Sequence, residues 1–239
     1  MFVKAVILAA GRGTRLAPLT DTIPKALVPI NGRAMLDIIL EQLSFAGVTE
    51  AVIVVHYLKD KIIAAIGNER HGIKIKYAEQ EKINGSAPAL LCAEPHITDE
   101  KFITLACDSL FETDLLSRLL EHDSDGVFTC REVEDGRRYG ILETSGRRVT
   151  RIIEKPENPP TNLANFSVYL LPHDIFDACR QVPFGKNDEK WLPDAIQNLI
   201  EQGMIFTFEK SAHILDIGTN EQLAEAQELA KKLNLANAE

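Results

Sequence analysis

The segment Leu8–Leu27, LAAGRGTRLAPLTDTIPKAL, gathers Gly11, Gly13, Arg12, Arg15 and Lys25 into one apolar-flanked stretch with Asp21 as its only acid. Glycines there let backbone N–H groups approach an anion closely, and guanidinium and ammonium groups then neutralise it. The chemistry this pattern supports is phosphate binding. Two familiar phosphate loops fail on spacing: Leu16 stands where a dinucleotide fingerprint has its third glycine, and no Gly-Lys-Ser/Thr exists. Taken alone, the segment also reads as a solvent-facing turn with scattered basic residues.

Two acids stand in suggestive places. Asp108 closes FITLACD and Asp216 closes HILD, each just past a predicted strand. A pair of carboxylates suits Mg²⁺, a hard cation usually held by one or two carboxylates plus substrate phosphates. Each acid by itself also reads as a turn or helix-capping residue, and Asp216 lies close to Gly218. The six histidines fall into no triad or metal-ligand spacing.

The elements that would position these residues alternate between strand and helix. Residues 3–8 form a short β-branched apolar run closed by glycines, which predicts a buried strand ending in a loop. MLDIILEQLSFAG predicts a helix with Leu36, Ile39, Leu40 and Leu43 on one face, stopped at Gly47. Strands at 51–55, 73–77 and 102–106 then alternate with helices near 58–66, 87–94 and 115–122, the last capped by Thr113 or Asp114. Such alternation implies a mainly parallel sheet. Beyond Asp125, VFTCREV, YGILET and RVTRIIEK read as hairpin-type strands joined by Asp-Gly and Ser-Gly turns, hence an antiparallel flap or sheet extension. A helix over 190–201, strands IFTF and HILD, and a last helix from about Thr219 to Leu233, started by Thr219 and Gln222, complete the pattern. No linker or repeat divides the chain, so the reading is one α/β domain over 1–239, a Rossmann-like three-layer α/β/α sandwich with a strand-rich insertion at about 126–170.

Composition excludes several functions. With 239 residues and 45% hydrophobic content a large core is available. A formal net charge of -9 argues against a general nucleic-acid or membrane-surface binder, because those gain from a net positive footprint. Any polyanion must therefore be held locally. Cys92, Cys107, Cys130 and Cys179 are widely spaced and form no C-x-x-C, consistent with reduced thiols in the cytosol. The N-terminal run lacks the length and cleavage site of a signal peptide, and no stretch approaches a membrane span. A cytoplasmic protein is expected.

LAAGRGTRLAPLTDTIPKALVPING closely resembles the signature of the sugar-1-phosphate nucleotidylyltransferases, the nucleoside-diphosphate-sugar pyrophosphorylases. The resemblance continues in family order: EQEKINGSAPAL is similar to a nucleobase-reading loop, LACDS and LDIGTNEQL to metal-aspartate motifs, YGILE and RIIEKP to sugar-binding strands, and NFSVY to the ribose and sugar edge. It implies that Ala10, Gly11, Gly13 and Thr14 hold nucleotide phosphates, Arg15 the triphosphate, and Lys25 the phosphates of both substrates. It implies that Gln80, Gly85 and Ser86 face the nucleotide, that Asp108 and Asp216 hold Mg²⁺, and that Gly140, Glu154, Lys155 and Asn165 hold the sugar phosphate. The implied partners are an NTP and a sugar-1-phosphate, with no nucleic-acid polymer and no membrane, and a homo-oligomer is compatible with the sequence.

The sequence departs from the family pattern where Cys107 and Ser167 replace common glycines and Ile214 replaces a Trp, which bears on the sugar more than on the reaction. The last helix closes the catalytic domain, so an appended β-helical or regulatory domain is not expected. A cytidylyltransferase acting on phosphocholine has a similar opening segment, and a catalytically silent subunit is the non-enzyme alternative. Gly-Ser-Ala-x-Ala and Glu154-Lys155-Pro156 favour a sugar acceptor, and retention of Arg15, Lys25, Asp108 and Asp216 speaks against silence. The nucleobase and the sugar stay open.

Overall fold

A computed structural model describes residues 3–185 and 188–235. The first half of the chain is a run of strand-helix units. β1 (Ala5–Ala9) is followed by a ribbon of β2 (Pro29–Ile30) and β3 (Arg33–Ala34), then α1 (Met35–Phe45), β4 (Glu50–Val55) and α2 (Lys59–Ile66). β5 (Glu69–Arg70), β6 (Ile73–Glu79), α3 (Ser86–Ala93), β7 (Lys101–Ala106), β8 (Ser109–Leu110) and α4 (Leu115–Leu120) come next. The second half carries β9 (Gly126–Glu132), β10 (Gly140–Ser145), β11 (Arg148–Glu154) and β12 (Leu163–Pro172). It closes with α5 (Ile175–Gln181), α6 (Leu192–Glu201), β13 (Phe206–Lys210), β14 (Leu215–Asp216) and α7 (Asn220–Lys232).

Ten strands form one continuous sheet in the order β10-β11-β13-β9-β12-β7-β1-β4-β6-β5. β7, β1, β4 and β6 run parallel, with Leu8 opposite both Val54 and Ala106. β12 joins antiparallel to β7, placing Val168 opposite Leu105, and carries the sheet into a wing of mixed direction. The strands of residues 126–172 are thus an extension of the main sheet rather than a detached flap. β1 alternates as a doubly covered strand should: Ile7 packs with α1, α2 and α4, while Val6 packs with α3, α5 and α6. That is the expected three-layer α/β/α sandwich. A third cluster, Val28, Ile30, Ile38, Leu215, Ile217 and Ala226 among its members, docks α7 against the two small ribbons beside the carboxyl ends of the parallel strands.

Local signals behave as chemistry demands. Leu36, Ile39, Leu40 and Leu43 of α1 are all buried, and Gly47, at φ +82°, lets Val48 N–H close the helix end on the Leu43 carbonyl. Thr219 accepts from Gln222 N–H and starts α7. Three expectations need correction. Neither Thr113 nor Asp114 caps α4 through its side chain; Asp114 pairs with Arg118 instead. HILD contributes only the two residues of β14, paired with β8 in a separate ribbon. The ten-residue β12 and the helix α5 went unpredicted, because Asn165, Ser167 and Pro172 interrupt the apolar run of the one and the other is short. All four cysteines are unbridged.

Candidate active site

The loop after β1 brings its cations to the carboxyl edge of the parallel strands, where open sheets place ligands. Gly13 has φ +66°, and a Cβ there would lie 3.1 Å from Lys25 Cβ and 3.2 Å from Thr20 Cγ2. Thr20 Oγ1 donates to the Gly13 carbonyl at 2.8 Å, so the bare glycine lets the loop close onto the Lys25 stem. Gly11 is different: a Cβ on it would meet nothing within 4 Å, and no protein atom explains it. Arg12 leaves the site to stack on Tyr57, 5.0 Å from the ring centroid. Arg15 turns inward over Gly218, whose missing side chain makes room, since a Cβ there would be 2.8 Å from the guanidinium.

Lys25 donates to Asp108 Oδ2 in a partly buried ion pair. Burial pulls the ammonium down, but the Asp108 and Asp216 charges and the hydrogen bond to Asp108 outweigh it and its pKa is raised. The β8-β14 ribbon sets Asp216 opposite Ser109, and Ile217 N–H donates to the Asp108 carbonyl at 2.9 Å. Ser109 Oγ donates to Asp216 Oδ1 at 2.7 Å, while Ser167 donates to Oδ2 through its hydroxyl at 2.9 Å and its amide at 3.2 Å. Burial and the Asp108 charge nonetheless push Asp216 up to about 6 from an ordinary 3.8. Cys107, between these groups in the chain, is pushed up to about 12 by burial and is an inert thiol.

The antiparallel wing supplies the other end. β10 and β11 pair Gly140 with Glu154, and a Cβ on Gly140 would stand 3.1 Å from Glu154 Oε2. Lys155 adopts φ +43°, held by its N–H donating to the Tyr139 carbonyl at 3.0 Å. A left-handed backbone at a non-glycine residue, directly before Pro156, is the kind of strain that functional sites retain. Its ammonium rests 2.9 Å from Glu154 Oε1 and 5.6 Å from the Trp191 ring centroid. Asn165 Nδ2 donates to Tyr169 Oη at 2.8 Å, whereas Asn165 Oδ1 and Thr104 Oγ1 are buried without a partner. Tyr169 is pushed above its usual pKa by burial.

One cavity of about 370 Å³ unites these parts. Of the residues singled out in the sequence, Arg15, Ser86, Asp108, Gly140, Glu154, Lys155, Asn165 and Asp216 line it. Lys25 adjoins it through Asp108. Ala10, Gly11, Gly13, Thr14, Gln80 and Gly85 do not line it. Gln80, 3% exposed, donates to Asn84 Oδ1 and the Gly85 carbonyl, both at 3.2 Å. Gly85, at φ +115°, lies so close to the Lys190 backbone that a Cβ would come within 2.1 Å of its carbonyl. Ser86 Oγ accepts from Leu192 N–H at 2.8 Å, so its hydroxyl already holds the start of α6.

Sequence reasoning missed Thr104, Ser109, Tyr139, Trp191 and Gly218. It marked Ser167 only as a departure from pattern, although that hydroxyl is what grips Asp216. Among the described residues no group of three or more His, Cys, Asp or Glu side chains is placed to hold a metal ion, and no helix is long and apolar enough to cross a membrane.

A sequence model of the family described as nucleotidyl transferase matches residues 4–232. The chain belongs to that family. As a nucleotidyl transferase it is 38% identical over 95% of its length to a UTP–glucose-1-phosphate uridylyltransferase, AglF, of Haloferax volcanii, covering 96% of that protein. It is 32% identical over 97% of its length to the bifunctional protein GlmU of Methanocaldococcus jannaschii, of which it spans only 55%. Among solved structures, a UDP-glucose pyrophosphorylase complexed with UDP-glucose superposes with a TM-score of 0.82, is 26% identical, and is covered to 99% by 97% of this chain. A Bacillus anthracis structure at 24% identity, with a TM-score of 0.88 over 99% of this chain and 100% of its own, adds support for the fold alone.

Proposed function

We propose that this nucleotidyl transferase joins an NTP to a sugar-1-phosphate, releasing pyrophosphate and an NDP-sugar. The observation that carries the reading is the set of side chains gathered in one cavity. Arg15, Asp108 and Asp216, with Lys25 alongside, line it together with Lys155, Glu154, Asn165 and Thr104. Asn165 Oδ1 and Thr104 Oγ1 are buried without a partner, and both belong to side chains that line the cavity, so polar capacity lies in its wall. A sugar phosphate needs a cation for its phosphate and acceptors for its hydroxyls, and Lys155 beside Glu154 and Asn165 supplies both kinds of group. The relatives' named activities point the same way.

In this reading Gly11 and Gly13, with Ala10 and Thr14, offer backbone N–H groups to the triphosphate. Gly11 has no other reason to be bare. Arg15 pairs with the β- and γ-phosphates and stays with pyrophosphate as it leaves. Lys25, lying between the loop and Asp108, neutralises the α-phosphate as the sugar-phosphate oxygen approaches. Gln80 and Gly85 face the base and Ser86 fixes their loop, while Gly140, Glu154 and Asn165 hold the sugar and Lys155 its phosphate.

The phosphate oxygen forms a bond to the α-phosphorus as the bond to the bridging oxygen of pyrophosphate breaks. The nucleophile is already ionised at neutral pH, so no strong general base is needed, and no histidine lines the cavity. Positioning and charge neutralisation supply the rate.

Asp108 and Asp216 fit a divalent cation. Each is an oxygen donor, the burial and the Asp108 charge that raise Asp216 are what a dication offsets, and two ligands leave positions for phosphate oxygens. Mg²⁺ held there would supply Lewis-acid stabilisation of the charge on the α-phosphate.

The test is pyrophosphate release across the common NTPs against glucose, mannose and N-acetylhexosamine 1-phosphates and phosphocholine. The reading expects turnover with at least one sugar phosphate in the presence of Mg²⁺. Turnover with phosphocholine alone would replace it with a non-sugar cytidylyltransferase, and none with any pair would indicate a silent subunit.

A further inference from the structure

Trp191 is the only tryptophan of the chain, and no feature of its sequence marked it. It lines the cavity beside Lys155, the residue to which the proposed reaction gives the sugar's phosphate. We propose that the Trp191 indole is the platform for the pyranose ring, covered in the empty site by the Lys155 ammonium and uncovered when the sugar phosphate draws that ammonium away. The inference rests on the function proposed above and names the side chain that selects a ring-shaped acceptor.

Three observations support it. The first is how firmly the backbone that carries the indole is placed. Trp191 immediately precedes α6, and its carbonyl accepts from Asp194 and Ala195 N–H at 3.2 and 3.4 Å. Its neighbours are stitched to the loop before α3: Lys190 N–H donates to Asn84 O at 2.9 Å, Ala87 N–H to Lys190 O at 3.1 Å, and Leu192 N–H to Ser86 Oγ at 2.8 Å. Only a glycine at 85 permits that approach.

The second is the exposure of what covers the ring. Among the described residues the Lys155 ammonium pairs with Glu154 alone and its side chain is 58% exposed, so a phosphate competes for it at small loss. The third is the chemistry around the indole. A pyranose carries C–H groups on its faces and hydroxyls on its rim, so an aromatic face and rim acceptors are complementary to it. Glu154, Asn165 and Thr104 line the same cavity and give it a polar wall beside the indole, with Asn165 Oδ1 and Thr104 Oγ1 buried in that wall without a protein partner. A trimethylammonium group would also favour an aromatic face, but it has no donor for Asn165.

The decisive experiment is calorimetric binding of α-D-glucose 1-phosphate to the whole protein, with and without a UTP analogue bearing a methylene bridge between its α- and β-phosphorus. Trp191→Ala should weaken sugar-phosphate binding about tenfold and Trp191→Phe by about threefold, while affinity for the UTP analogue stays within about twofold. Glucose 1-phosphate should also shift the wild-type tryptophan emission saturably, and inorganic phosphate and phosphocholine should leave a different spectrum. Unchanged glucose 1-phosphate affinity in Trp191→Ala would overturn the platform, as would an equal loss for nucleotide and sugar phosphate, which Trp191→Phe would show to be a structural effect if it were spared both. Wild-type turnover with no sugar phosphate would instead sink the proposed function, leaving these binding ratios to decide the platform separately.

Discussion

Asp37 and Asp216 are both carboxylates withdrawn from bulk water, and their surroundings drive them in opposite directions. Asp37, in the first turn of α1, accepts from Arg33 Nη2 at 2.7 Å on one oxygen, and from Arg70 Nε at 2.6 Å and His71 Nε2 at 3.0 Å on the other. Burial raises its pKa, but hydrogen bonds from Arg33, Arg70 and His71 outweigh burial and hold it below the usual carboxylate range. Asp216 is given hydroxyls and an amide in place of cations, and faces Asp108. Hydroxyls orient a carboxylate without neutralising it. Asp37 is therefore electrostatically complete and serves the fold, tying α1 to the β5 turn. Asp216 is held in position and left in deficit, which is what a site awaiting a cation requires.

Exchanging charge for amide at each position tests that contrast most strongly. Asp216→Asn should lower Mg²⁺-dependent turnover by on the order of 10³-fold, equivalent to about 4 kcal/mol of transition-state stabilisation, while the metal-free protein melts at the same or a higher temperature. Asp37→Ala should do the reverse. Leaving Arg33, Arg70 and His71 without their shared carboxylate should destabilise by about 3 kcal/mol in denaturant titration, with turnover per folded molecule unchanged. Loss of activity without loss of stability at Asp37 would break the distinction.

pH separates the two sites in direction. Asp216 has a folded pKa of about 6 against 3.8 when unperturbed, so its contribution to stability is present below pH 4 and is lost as pH rises through 6. Metal-free Asp216→Asn should accordingly gain on the wild type between pH 4 and pH 6 and hold that gain above. Asp37 is shifted downward, so its stabilisation is present above pH 4 and disappears as pH falls through its folded value, and the penalty of Asp37→Ala should vanish in acid. Melting curves from pH 3 to 8 for the three proteins check both signs. The smallest effect belongs to Ser167→Ala, which removes one hydroxyl from Asp216 but keeps the amide. Metal affinity, read by titration with Mn²⁺, should fall about tenfold while the fold is undisturbed.

Much of this arrangement was legible in the chain and some was not, for physical reasons. The strand-glycine-cation order of residues 3–25 and the acid after FITLAC are local patterns, and the parallel sheet brings them together as alternation of strand and helix predicts. The helix over 35–45 announced itself by its apolar face and terminal glycine. By contrast, the clamp on Asp216 depends on a two-residue ribbon and on Ser167 in a strand with a bulge between Phe166 and Tyr169, and pairings that short leave no periodicity. Trp191 reaches the cavity because the Gly85 backbone approaches Lys190, a contact between segments more than 100 residues apart in the chain. The left-handed Lys155 was hidden too, since a lysine before proline advertises an extended backbone. Even the two opening glycines, equivalent in sequence, divide in space: Gly13 is required by Lys25 and Thr20, and Gly11 by nothing in the protein.

Asp108 is paired with Lys25 whereas Asp216 is held by hydroxyls and an amide, and the proposed divalent cation would supply the charge that Asp216 lacks. Free Mn²⁺ measured by electron paramagnetic resonance, in the presence of UDP-glucose, tests it directly. Saturable Mn²⁺ binding is expected for the wild type and for Asp37→Ala, and its loss in Asp216→Asn. Binding by Asp216→Asn equal to the wild type would contradict it.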